Sequence, residues 1–405
     1  MINYYIAYCW DKAGDRNMTL HYLRKAANAK PDGCFPNRLE DIQILNFVIE
    51  INPSDARAAY YLGNLFYDKK QYEDAIELWL QCAALDRTFA TVFRNLGIAF
   101  YNKRSDQSQA LDYFQQAFDM DRSDSRVLME LDQLYKRLNH QPEKRLEFLG
   151  HNLTTAQFRD DVYLEIISLH NFLGNYQKAF DLLIKRKFHP WEGGEGKVAA
   201  QYTYALIEMA KTDLQKGDFE NAINKLEAAF TYPENLGEGK LPGMPENDIY
   251  YWLGSAQQLA GNKEEALSFF GKATMGKSEP SAAIFYNDQQ PDKIFYQGLA
   301  WEKLNDPLRA RQIFESLVQY GRAHMNDRIR LDYFAVSLPD LMIFDDDLDH
   351  RNIVHCLYMQ SLGYLGLRNF EICETMLSEV LEKDAMHFGA NTHLRLLKSM
   401  MLPQL

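Results

Sequence analysis

Apolar residues along this chain recur at helical spacing, in pairs of short runs separated by a polar turn, most plainly between Ala56 and Arg87. Leu62, Gly63 and Phe66 stand at i, i+1 and i+4, on one face of a first helix. The polar stretch Asp68–Gln71 makes a turn, and a second helix begins at Tyr72 with Ala75, Trp79 and Cys82 at i, i+4 and i+7. Gly63 and Ala75 are small where two helix backbones are expected to cross closely, and Trp79 is expected to fill the groove between units. A unit of this size cannot bury both of its apolar faces alone, so the pattern predicts neighbours of the same kind.

Those neighbours are present. Gly97 lies 34 residues after Gly63 in the run Asn95-Leu96-Gly97-Ile98-Ala99-Phe100, followed by Ala110, Phe114 and Ala117. Further copies carry Gly174, Tyr176, Ala179 and Leu183; Gly217, Phe219, Ala222 and Leu226; Leu253, Gly254, Ala266 and Phe270; and Gly298, Trp301, Ala310 and Phe314. Weaker copies open the chain (Trp10, Gly14, Ala26) and close it (Phe370, Cys373, Leu377, Val380), and the copy at 125–150 keeps Leu131 and Tyr135 but degenerates in its second helix. This unit resembles the tetratricopeptide repeat, whose period is 34 residues and whose helix pairs stack on one another. The resemblance implies an all-α, right-handed helical solenoid of about eight to ten helix pairs.

Residues 1–187 read as N-terminal repeats with one extra helix inside 31–53, and residues 188–405 as C-terminal repeats with long inter-repeat loops and a closing helix, within one continuous solenoid. The closing helix carries Leu394, Leu397 and Met400 on one face, with Lys398 opposite. Four long insertions mark the second half: 188–198, 231–248, 276–292 and 321–351. Each follows a second helix and precedes the next first helix, which predicts that all four emerge on one edge and build one surface. Trp191, Phe285, Tyr286, Phe334 and Phe344 within them argue against disordered linkers.

Composition narrows the function. A net charge of -12 argues against a nucleic-acid groove and against an anionic membrane surface. No apolar run spans 18 residues, and Met1–Trp10 lacks the basic start of a signal peptide, so a cytoplasmic chain is expected. The five cysteines form no CxxC pair, and Cys82 and Cys373 fall on buried positions as small core residues. No cofactor motif, Ser-His-Asp pattern or Cys-His pattern is present, so no catalytic residue is assigned.

The candidate chemistry lies in the loops. The sequence GEGK occurs twice, at Gly194–Lys197 and Gly237–Lys240. A phosphate-binding loop needs glycine five positions before the second one, and Ser or Thr after the lysine; Trp191, Glu234, Val198 and Leu241 stand there instead. Two readings stay open: tight turns with solvated charges, or two similar turns that set Glu195 and Glu238 side by side, flanked by Lys197 and Lys240. Paired carboxylates can bind a cation or sugar hydroxyls, or perform acid–base work. Asp345, Asp346 and Asp347 can bind a hard cation, but they lack calcium-loop spacing, and an acid-rich helix start explains them equally well. His350 and His355 lie five apart, out of line for a shared metal. Asn287, Asp288 and Asp292, in the run YNDQQPD, suit hydroxyl recognition or simply a turn. Asn64 and Asn95 match the asparagines with which some repeats grip a partner's terminal carboxylate, but Tyr60 replaces the lysine.

The combination HPWEGGEGKV (189–198), NLGEGKL (235–241), YNDQQPD (286–292) and DYFAVSLPD with FDDDL (332–348) resembles a family of long bacterial proteins with a β-rich N-terminal domain of unknown function and tetratricopeptide repeats at the C-terminal end. That resemblance implies a preceding N-terminal portion and a link to carbohydrate metabolism. The leading expectation is a non-catalytic scaffold that docks a partner protein, or that missing domain, through its concave face and loop edge. The alternative is the C-terminal part of a carbohydrate-active enzyme, in which Trp191 stacks a sugar while Glu192, Glu195, Glu238, Asp288 and Asp346 bind hydroxyls or act as acid and base.

Overall fold

The structure is a computed structural model and describes residues 1–191, 193–282, 289–329 and 343–401. Among these residues it contains 21 α-helices, one short 3-10 turn at Glu234–Leu236, and no strand. No described helix is long and apolar enough to cross a membrane.

The helices form as paired hairpins. In the first half these are α1 (Ile2–Lys12) with α2 (Arg16–Ala27), α4 (Ala56–Asp68) with α5 (Tyr72–Leu85), and α6 (Ala90–Asn102) with α7 (Gln107–Met120). The extra helix, α3, is Leu39–Ile51. The degenerate stretch gives α8 (Ser125–Arg137), a short α9 (Pro142–His151) and the single turn α10 (Leu153–Ala156). Pairing then resumes with α11 (Asp160–Phe172) and α12 (Tyr176–Lys185), α13 (Lys197–Gln215) and α14 (Phe219–Ala228), and α15 (Asn247–Leu259) and α16 (Lys263–Ala273). The last pairs are α17 (Pro291–Lys303) with α18 (Pro307–His324), and α19 (Leu348–Gly366) with α20 (Phe370–Lys383), before α21 (Phe388–Met401).

Two compact units are present: Met1–Leu134 together with 343–345, and the described residues from Tyr135 onward apart from 343–345. In the first unit Tyr4 is 1% exposed and its hydroxyl donates to the Asp55 carboxylate at 3.0 Å, while Asp55 also caps α4 by accepting from the Arg57 and Ala58 amides. The ion pair of Arg94 with the buried Glu130, at 2.5 and 2.6 Å, ties α6 to α8. In the second unit the buried Arg145 and the partly exposed Lys136 share the Glu165 carboxylate, at 2.7 and 3.2 Å. Burial works against that anion, but the two cations outweigh it and hold its pKa down at about 2.

The small residues sit where an aromatic ring crosses. A Cβ added to Gly63 would lie 2.6 Å from the Trp79 ring, and one added to Gly97 would lie 2.5 Å from Phe114. Trp79 therefore occupies its own hairpin's crossing, where its indole donates to Asn64 at 3.1 Å, and not the groove between units. Gly254 meets Phe270, and Gly298 meets Phe314, in the same way. The turn inside a hairpin needs a left-handed residue: Gly14, Gly174, Gly217 and Gly261 supply it, and Lys70, Ser105, Asn305 and Arg368 adopt it with φ between 53° and 61°. Cys82, Cys356 and Cys373 are buried and unpaired in disulfides, and burial pushes the Cys82 and Cys373 thiols up to about 12.

One repeat offers a paired test of this packing. A Cβ at Gly254 would lie 2.8 Å from Phe270 and 3.2 Å from the Ala266 carbonyl, whereas one at Gly271 meets nothing within 4 Å. Gly254→Ala should cost about 1–3 kcal/mol by overfilling the crossing, and Gly271→Ala should stabilise by about 0.5–1 kcal/mol by removing helix-interior glycine. Urea denaturation of both variants checks this; effects of the same sign would contradict the assigned crossing.

Candidate binding surface on the second unit

The loops after α12 and α14 fold onto each other. The Phe188 amide donates to the Asn235 carbonyl at 2.7 Å, and the Asn235 amide group reaches the Leu183 and Arg186 carbonyls at 2.9 and 2.8 Å. Gly237, with φ 77°, has no room for a side chain because a Cβ would lie 2.5 Å from the Phe188 carbonyl oxygen. This docking carries the second GEGK turn to the start of α13. There Glu238 accepts from the Gly196 and Ala199 amides at 2.7 and 2.8 Å, a carboxylate placed where the helix presents unpaired N–H groups.

The remaining loop residues take separate places. Glu195 and Lys197 are exposed on the first GEGK turn, and Trp191 is half-buried with its ring against Gly194 and the core. Lys240 pairs with Glu246, donates to the Phe230 carbonyl at 3.1 Å and lies over the Phe230 ring. The acidic run divides three ways. Asp345 pairs with Lys103 at 3.0 Å within the first unit, where Phe344 packs on Tyr101 and Phe114. Asp346 pairs with Arg351 and Arg137 at 2.7 and 3.4 Å, and Asp347 caps α19 by accepting from the His350 amide. Glu192, Asn287 and Asp288 lie outside the described residues, as do Phe285, Tyr286 and Phe334. Asn64 and Asn95 bond to each other at 3.5 Å.

A denser polar assembly lies on the first helices of the second unit. Asp248 and Trp252 stand one turn apart on α15, and Asp292 and Tyr296 one turn apart on α17. Lys293 bridges the helices, 2.5 Å from Asp248 and 4.0 Å from Asp292. On α13, Lys211 pairs with Glu208 at 2.5 Å and sits 4.8 Å above the Trp252 ring. The rings of Trp252 and Tyr296 have centroids 6.3 Å apart. Burial, with help from Asp248, pushes the Asp292 carboxyl up against the pull of Lys293. Burial also opposes the Lys293 ammonium, but the two aspartates outweigh it and raise its pKa.

Helix α21 does more than cover the last repeat. Its Thr392 hydroxyl meets Tyr204 at 2.8 Å, Asn391 donates to the Phe172 carbonyl at 2.9 Å, and Arg395 bonds Tyr176 and the same carbonyl. His393 is 2% exposed, with its ring 5.9 Å from that of Tyr296. Its Nδ1 lies 2.8 Å from the Gly389 carbonyl and 3.1 Å from the Tyr358 hydroxyl. Four buried polar atoms on α15, α17 and α21, Asp248 Oδ1, Trp252 Nε1, Gln297 Oε1 and His393 Nε2, have no hydrogen-bond partner. No group of three His, Cys, Asp or Glu among the described residues could hold a metal ion.

Sequence reasoning found Asp292 in this assembly and missed Glu208, Lys211, Asp248, Trp252, Lys293, Tyr296 and His393. A signal existed: an acid followed one turn later by an aromatic residue recurs in two successive first helices, at 248/252 and 292/296.

Two stretches match family models: residues 63–104 match a TPR repeat model, and residues 207–283 match a tetratricopeptide repeat model. Among solved structures, the chain is similar to YrrB, described as a TPR protein with an unusual peptide-binding site, at 16% identity and TM-score 0.34 over 55% of this chain and 96% of that one. It is also similar to a chain of the Naa15/Naa10 complex bound to HypK-THB, at 10% identity and TM-score 0.40 over 98% of this chain and 65% of that one. A third is a tetratricopeptide repeat protein from Parabacteroides merdae, at 14% identity and TM-score 0.30 over 74% of this chain and 99% of that one.

The buried histidine gives this region a pH dependence of defined sign. Burial pushes His393 down to about 3, and also lowers His387 and His355. An unfolded histidine titrates near ~6.5. Between that value and about 3 the unfolded chain holds more protons at position 393, so its contribution to stability is lost as pH falls through this window. Urea denaturation at pH 7.5 and 5.5 should show a larger loss for the wild type than for His393→Gln. Equal losses would contradict a histidine kept neutral in the fold.

Proposed function

We infer that this chain is a protein-interaction scaffold, without chemistry of its own, that docks a partner protein or a further domain of a longer chain. The observation that carries this reading is that tetratricopeptide repeat models match once in each compact unit, at 63–104 and 207–283. Stacked helix pairs of this kind offer continuous surfaces for a polypeptide. The loop edge supplies the second element of the reading. There Trp191, Glu195, Lys197 and Lys240 present aromatic and charged groups close to the docked GEGK turns.

The carbohydrate reading has weaker support. Both oxygens of Glu238 cap α13, Trp191 rests on Gly194, and Asp345, Asp346 and Asp347 are engaged in three different places. Glycan-array binding and affinity capture from cells that make the chain separate the two. The expected result is one reproducible protein partner, no glycan signal, and at least a ~10-fold weaker partner affinity in Trp191→Ala/Lys197→Glu, since interface anchors of this type carry more than ~1.4 kcal/mol. Glycan binding that disappears in Trp191→Ala would overturn the scaffold reading.

A further inference from the structure

The first unit holds a short stretch of this chain in the manner of a bound peptide. Residues 343–345 belong to no helix, yet Phe344 is 1% exposed, with its ring 4.9 Å from that of Tyr101 and 5.6 Å from that of Phe114. Asn102, the last residue of α6 and 241 positions from Ile343, donates to the Ile343 carbonyl at 2.8 Å and accepts from the Asp345 amide at 2.9 Å. One side-chain amide thus grips the backbone on both sides of Phe344, whatever side chain stands there. Lys103 adds an ion pair to Asp345 at 3.0 Å and lies over the Tyr72 ring. Backbone bonds that hold any sequence, beside a pocket and a charge that select one, are the elements of short-peptide recognition.

Repeat packing does not ask for this grip. Counted from the glycine at each aromatic crossing, the Asn102 position is Asp68, Leu259 or Lys303 in the hairpins of Gly63, Gly254 and Gly298. None of those side chains can both donate to a carbonyl and accept from an amide. Beside the docked residues a groove of about 450 Å³ opens between the turn at Lys70–Asp74 and the Asn102–Lys103 corner. It has room for more polypeptide than the three docked residues, and the Asp345 side chain keeps 64% of its surface exposed.

We propose that the α6–α7 turn edge is a recognition site for a partner segment in which an aromatic residue is followed by an acidic one, and that residues 343–345 occupy it in cis as a built-in competitor. This goes beyond the scaffold reading and uses no residue of the GEGK loops. Each copy of the chain brings one such segment and one seat, so copies satisfy themselves, whereas a partner's segment has no seat of its own. A tethered segment competes at an effective concentration of ~mM. A partner therefore wins through contacts that the chain's own segment lacks, and the groove beside Lys70 and Tyr72 supplies them. Because 343–345 is part of no helix, it can leave without unwinding one.

The test is fluorescence anisotropy of a labelled peptide with the sequence of residues 343–348. Phe344→Ala/Asp345→Ala, which empties the seat, should bind it at least ~10-fold more tightly than the unaltered chain. Adding Asn102→Ala, or replacing the phenylalanine of the peptide by alanine, should remove at least ~10-fold of that affinity. In the unaltered chain saturated with peptide, the Asp345 amide should exchange with deuterium ~10-fold faster, because its acceptor on Asn102 is taken. That measurement decides the matter even where the emptied variant does not fold. Unchanged Asp345 exchange, or peptide binding indifferent to Asn102→Ala, would overturn the proposal. Dimerisation of the unaltered chain that Asn102→Ala abolishes would give the seat to a second copy and overturn it equally. Failure here leaves the loop-edge reading standing, which Trp191→Ala/Lys197→Glu tests separately.

Discussion

The fold depends on one recurring contact: an aromatic ring of a second helix laid against a glycine of the first. Trp79 on Gly63, Phe114 on Gly97, Phe270 on Gly254 and Phe314 on Gly298 repeat it along the chain. The glycine lets the helices approach, the ring fills the crossing, and the next hairpin covers what remains. Because each contact is local, the stack can absorb long insertions between hairpins without losing its core. That tolerance gives the second unit room for its loops and for a closing helix that reaches back to α11 and α13.

The closing helix also shapes the chemistry. In the second unit α21 brings Thr392 and Asn391 against Tyr204 and Phe172, more than 180 positions earlier, and sets His393 beside Phe295 and Tyr296. Placing a neutral imidazole beside Tyr296 and near Asp248 adds to the polar character of this buried region. Charges in such a place interact strongly with each other and with any ion that enters, since little water remains to screen them.

The hairpins were legible in the sequence because glycine, ring and alanine recur at fixed helical offsets, and local spacing decides local packing. Cys82 and Cys373 were legible for the same reason. Trp79 was placed one groove away from its true position, because spacing reports which face a residue occupies but not which neighbour fills that face. The GEGK turns match in sequence but not in backbone, since the left-handed residue is the second glycine, Gly196, in one and the first, Gly237, in the other; the insertions that carry them do fold together. The destination of Glu238, two backbone amides at the start of α13, depends on how one loop docks on another, which no periodicity encodes. The polar wall was missed because Asp248, Lys293 and His393 are far apart in sequence and look like ordinary surface residues until the helices bring them together.

The account's central claim is that the docked GEGK loops of the second unit take part in receiving a protein partner. Hydrogen–deuterium exchange of the chain, free and saturated with its captured protein partner, tests this most directly. The account predicts slowed exchange over the two docked loop segments at 193–198 and 235–241. Unchanged exchange in both segments, with protection confined to the first unit, would contradict it.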